Sequence, residues 1–107
     1  MEKENNQIQE MQMIEQTLQN ILLQKQVFNM ELQEIESSLK ELEKNNEDVY
    51  KIIGQLMIKK QASEVKEELK NKEKIINLRL NNLEKQEEGL MEKSEKIRKE
   101  ILGKKKK

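Results

Sequence analysis

The chain has 107 residues with 21 basic and 21 acidic side chains, 39% charged and only 2% aromatic residues, and no proline, cysteine or histidine. The missing cysteine and histidine exclude thiolate zinc sites, disulfides, Cys or His nucleophile systems and His-based proton transfer. So few aromatic residues do not fill a compact core, whereas abundant Glu, Lys, Leu, Gln and Ile favour long helices over a flexible chain. No apolar run approaches the roughly 20 residues of a membrane span, and the opening MEKENNQ lacks the basic-then-apolar layout of a signal peptide. A cytoplasmic protein without a membrane partner is expected.

The first predicted element is a helix over about 8–44. Positions 11, 14, 18, 21, 25, 28, 32, 35, 39 and 42 read Met, Ile, Leu, Ile, Lys, Phe, Leu, Ile, Leu and Leu, with steps of three and four alternating throughout. This is the a/d seam of a coiled coil, interrupted only at Lys25. One helix of a globular bundle is the competing reading, although such a helix is long for that setting.

The second element is a β-hairpin over about 49–60. VYKII and LMIKK are rich in β-branched and large apolar residues and are separated by Gly54 and Gln55. Glycine as the first turn residue suits a type II′ turn, which sets Ile53 opposite Leu56, Ile52 opposite Met57 and Tyr50 opposite Lys59. Val49, Ile53, Leu56 and Ile58 then lie on one face, and Tyr50, Ile52 and Met57 on the other. An isolated two-stranded hairpin is marginal in water, so both faces and edges call for other chains. A plain helix-to-helix loop is the alternative, but loops seldom carry so many large apolar residues.

The third element is a helix over about 63–102, with Ser63 as its expected N-cap and Glu64, Glu67 and Glu68 in or near the first turn. Leu69, Ile76, Leu83, Leu90 and Ile97 recur every seven residues, while the companion positions 73, 80, 87, 94 and 101 read Glu, Leu, Glu, Ser and Ile. Gly89 costs this helix about 1 kcal/mol relative to alanine, and Gly103 is the expected stop before a basic tail, 103–107. Residues 1–50 carry 11 acidic and 4 basic groups, net −7, against 10 acidic and 17 basic in 51–107, net +7. The asymmetry favours an intramolecular antiparallel pairing of the arms over a parallel dimer of extended rods.

No cofactor or metal site is expected. The carboxylates of EELKNKEK, 67–74, fit a solvated helix face, and Gly54, Gly89 and Gly103 are too far apart for a phosphate-binding loop. The terminal KKKK invites contact with nucleic acid, an acidic membrane or an acidic protein surface, but a solvated tail is the simpler reading, and no nucleic-acid partner is expected.

The Gln-rich first helix with QKQ at 24–26, the central VYKIIGQLMIKK, and the EVKEELKNK and NLEKQEEGL segments resemble the beta-type subunits of prefoldin, especially the archaeal kind. The resemblance covers most of the chain. Val49, Tyr50 and Lys51 followed by Gly54 at the turn, midway between two matched helices, are its most specific part.

The resemblance implies a mainly α fold: a long antiparallel two-helix coiled coil with a central β-hairpin that assembles into an inter-subunit β-barrel. It also implies a non-enzymatic chaperone that works without ATP. The expected partners are prefoldin alpha-type subunits and further beta copies in a hexamer of two alpha and four beta chains, non-native polypeptides, and a group II chaperonin. In an antiparallel arm both helix ends meet at one tip, bringing Ile8, Met11, Met13 and Ile14 near Ile97, Ile101 and Leu102 as client-contact candidates. Val49, Tyr50, Ile52, Ile53, Gly54, Leu56, Met57 and Ile58 are the assembly candidates. A coiled-coil adaptor without client-holding activity stays open as the alternative.

Overall fold

The computed structural model describes residues 2–44 and 48–105. Its elements are α1 (Glu2–Lys44), β1 (Val49–Ile53), β2 (Leu56–Lys60) and α2 (Ala62–Lys105). Both helices are longer than the apolar pattern alone predicts. The helix reaches back to Glu2 because the polar opening consists largely of helix-compatible residues, with Glu2 and Glu4 placed favourably for the helix dipole.

Two expectations about α2 are corrected. Ser63 is not the N-cap: the Gln61 carbonyl accepts hydrogen bonds from the backbone N–H groups of Glu64 and Val65, at 3.1 and 3.2 Å, so Gln61 occupies that position. The cap thus lies two residues earlier than expected, and Ala62, the first residue of the helix, is buried. Nor does Gly103 end the helix, which continues to Lys105. A glycine stop needs a left-handed backbone, and Gly54 is the only described residue with positive φ. Lys106 and Lys107, the end of the expected basic tail, lie outside the described residues.

The chain divides into two compact units: Phe28–Arg79, which contains the hairpin, and a unit formed by α1 up to Val27 with α2 from Leu80. In the unit without the hairpin, Ile14, Ile21, Leu80, Leu83 and Ile97 are buried. Met11, Leu18, Lys25, Glu87, Leu90, Ser94 and Ile101 are half-buried around them. The polar pairs run antiparallel: Lys25 Nζ lies 3.5 Å from Glu87 Oε1, Lys93 Nζ 2.9 Å from Glu10 Oε1, and Gln7 Nε2 donates to Glu100 Oε2 at 2.9 Å. As the α1 number falls, the α2 number rises. Gln7 is half-buried seven residues before Ile14, so the seam starts one layer earlier than the apolar series indicates.

In the hairpin-containing unit, Ile35, Leu42, Ala62 and Ile76 are buried. Phe28, Leu32, Leu39, Val65, Leu69 and Glu73 are half-buried. The Arg79 guanidinium lies 5.9 Å from the centre of the Phe28 ring, a cation–π contact beside the seam. Every heptad position named for the two helices is therefore buried or half-buried.

Candidate functional site

The hairpin is antiparallel with the register Val49↔Lys60, Tyr50↔Lys59, Lys51↔Ile58, Ile52↔Met57 and Ile53↔Leu56. Gly54 has φ +60°, and no other residue in the described chain has positive φ. A type I′ turn needs positive φ at both central residues, so Gln55 excludes it and the geometry fits type II′.

The two faces of the hairpin meet different surroundings. One carries Val49, Lys51, Ile53, Leu56, Ile58 and Lys60, the other Tyr50, Ile52, Met57 and Lys59. On the first face, Lys51 Nζ lies 3.3 Å from Glu68 Oε2 and Lys60 Nζ 2.6 Å from Glu68 Oε1. One carboxylate of α2 thus holds a lysine from each strand. Hydrogen bonds from Lys60 and then Lys51 keep the Glu68 carboxyl below the usual carboxylate range. On the second face, Lys59 Nζ lies 3.3 Å from Asp48 Oδ2. A groove of about 420 Å³, with Leu42, Val49, Tyr50, Val65 and Leu69 in its lining, adjoins the tie at Glu68.

Tyr50, Ile52, Ile53, Leu56, Met57 and Ile58 are 38–69% exposed, on both faces of the hairpin. Val49 is half-buried. An exposed apolar surface of this extent on a two-stranded sheet is unusual for a surface left facing water.

The tip candidates fall into separate classes. Ile8, Met13 and Leu102 are 48%, 69% and 50% exposed, whereas Ile14 and Ile97 are core residues at 5% and 7%. Met11 and Ile101 are half-buried. Ile14 and Ile97 belong to the seam series, so with the arms closed they hold the helices together and offer no surface. Further exposed apolar residues lie outside both the seam and the expected tip: Leu22, Leu23, Val27 and Met91 in the unit without the hairpin, and Met30, Ile75 and Leu78 in the other. Their off-seam positions are the only sequence sign of this. Among the described residues no cluster of acidic side chains is arranged to hold a metal ion, and no helix is long and apolar enough to cross a membrane.

Two long heptad-patterned helices joined by a central β-hairpin that is apolar on both faces define a class of helical, hairpin-bearing chain. The comparisons give that class its family. The family model described as "Prefoldin subunit" matches residues 5–107. A prefoldin subunit beta from Thermococcus onnurineus is 39% identical over 89 residues, covering 81% of this chain and 77% of that protein. One from Methanospirillum hungatei is 35% identical over 109 residues, covering 96% and 91%. The solved prefoldin beta subunit of Thermococcus strain KS-1 superposes with a TM-score of 0.87 at 32% identity, covering 94% of this chain and 90% of that one. The chain belongs to the prefoldin family, and it resembles the beta subunits throughout. Prefoldin subunits are chaperones rather than enzymes and associate with other prefoldin subunits.

Proposed function

We propose that this chain is the beta-type subunit of an ATP-independent holdase that captures non-native polypeptides and delivers them to a group II chaperonin. It works in the cytoplasm as part of a hexamer with two alpha-type and four beta-type subunits. Capture takes place at Ile8, Met13 and Leu102, supported by the half-buried Met11 and Ile101, while the hairpin residues from Val49 to Ile58 carry assembly.

The observation that supports this reading is exposed apolar surface on the hairpin in one unit and at Ile8, Met13 and Leu102 in the other, alongside further exposed apolar residues such as Leu23, Met30 and Leu78 along the helices. Flexible Met, Ile and Leu side chains make contacts that tolerate many client sequences, and several weak tips on one body gain avidity. Each methylene that a client covers contributes roughly 0.8 kcal/mol.

Light scattering tests the proposal. The chain assembled with an alpha-type subunit is expected to suppress aggregation of a denatured test protein at near-stoichiometric amounts without nucleotide. Assembly with no suppression marks a structural adaptor instead.

A further inference from the structure

Beyond chaperone activity, the hairpin poses a mechanical problem. Its apolar side chains are mostly uncovered, and on the α2 side only Gln61 separates it from the helix. Among the described residues, Glu68 is the one helix side chain hydrogen-bonded to the strands. It lies eight residues beyond Lys60. Lys51 and Lys60 stand on the same face, diagonally across the ladder, because Lys51 pairs with Ile58 and Val49 with Lys60. A carboxylate that uses one oxygen for each lysine fixes both strands relative to one helix.

We infer that Glu68 is a positioning residue for subunit assembly: by holding Lys51 and Lys60 together it sets the angle at which the hairpin is presented to neighbouring subunits. This rests on the hairpin being the assembly element. Exposed ion pairs add little to global stability, so the role of this one is geometric. A hairpin already held at its docking angle does not lose that freedom on association, whereas an untied one must. Glu41 of α1 and Lys72 of α2 line the same groove, and Asp48 is paired with Lys59 on the other face. A neighbouring lysine therefore remains at Lys72, but Lys51 and Lys60 are the groups in contact with Glu68.

The chain has no cysteine, so spin labels on Gln55→Cys and Asn71→Cys report the hairpin's angle to α2 directly. Labelled chains are diluted with unlabelled full-length chain and alpha-type subunit, and the pair distance is measured by electron–electron resonance alongside sedimentation. Glu68→Ala is expected to broaden a narrow distance distribution and weaken assembly roughly tenfold, with the helical thermal transition unchanged. Combining Glu68→Lys with Lys51→Glu and Lys60→Glu is expected to restore both. An unchanged distribution in Glu68→Ala, or a broadened one with undiminished assembly, overturns the inference. Ile53→Asp with Leu56→Asp tests the underlying reading separately: if that variant assembles fully, the hairpin is not the assembly element and the role assigned to Glu68 falls with it, although its distance result still reports whether the tie exists.

Discussion

Lys25 Nζ lies 3.5 Å from Glu87 Oε1, so the single polar interruption of the first helix's seam faces one of the polar positions of the second. The signs oppose the overall charge trend, since the lysine comes from the acidic half and the glutamate from the basic half. A slip of one heptad would leave Lys25 facing Leu80 or Ser94 and strand Glu87. This layer therefore specifies register at some cost in stability. Lys25→Leu alone is expected to destabilise the arm by about 1 kcal/mol, while Lys25→Leu with Glu87→Leu raises the melting temperature above wild type. Thermal melts followed by circular dichroism check both.

Buried and exposed apolar positions only two residues apart in α1 differ sharply in weight. Ile21 is 3% exposed and Leu23 59%. Ile21→Ala is expected to cost about 3 kcal/mol and Leu23→Ala less than about 0.5 kcal/mol, by chemical denaturation.

Glycines give opposite signs. Gly54 needs its positive φ, so Gly54→Ala strains the turn and costs about 1 kcal/mol even though nothing crowds the added carbon. Gly89 sits inside α2 with open space around it, so Gly89→Ala is expected to stabilise by about 1 kcal/mol. Melting temperatures of the two variants should move in opposite directions.

Acid should break the ion pairs that Glu68 makes with Lys51 and Lys60. Glu68 has its carboxyl pKa lowered by Lys60 and Lys51, so the tie is complete above the unfolded carboxylate pKa and is lost as pH falls through the lower folded value. Glu41 and Lys72 line the same groove. A carboxyl-carbon NMR titration should place the Glu68 midpoint below that of the same residue in a Lys51→Ala, Lys60→Ala variant.

The seam, the hairpin and its register are legible in the sequence because each repeats or is fixed by one residue: a heptad declares itself over several turns, and Gly54 sets every strand pair. Helix ends are not, because Glu2 to Gln7 and Gly103 continue a helix without adding to its apolar pattern. The Glu68 tie was equally hidden. Among many surface glutamates, only the folded distance from Lys60 and Lys51 distinguishes it. The seam series that located Ile14 and Ile97 also dictates their burial, which leaves Ile8, Met13 and Leu102 as the exposed members of the proposed tip.

The most direct test compares client capture by complexes built with the wild-type chain and with Ile8→Ser, Met13→Ser and Leu102→Ser combined. All three residues are exposed, so folding and assembly are expected to be unchanged by circular dichroism and sedimentation. Light scattering of a denatured test protein should then show suppression by the wild-type complex and little by the variant. Full suppression by an intact variant complex would contradict capture at the helix ends.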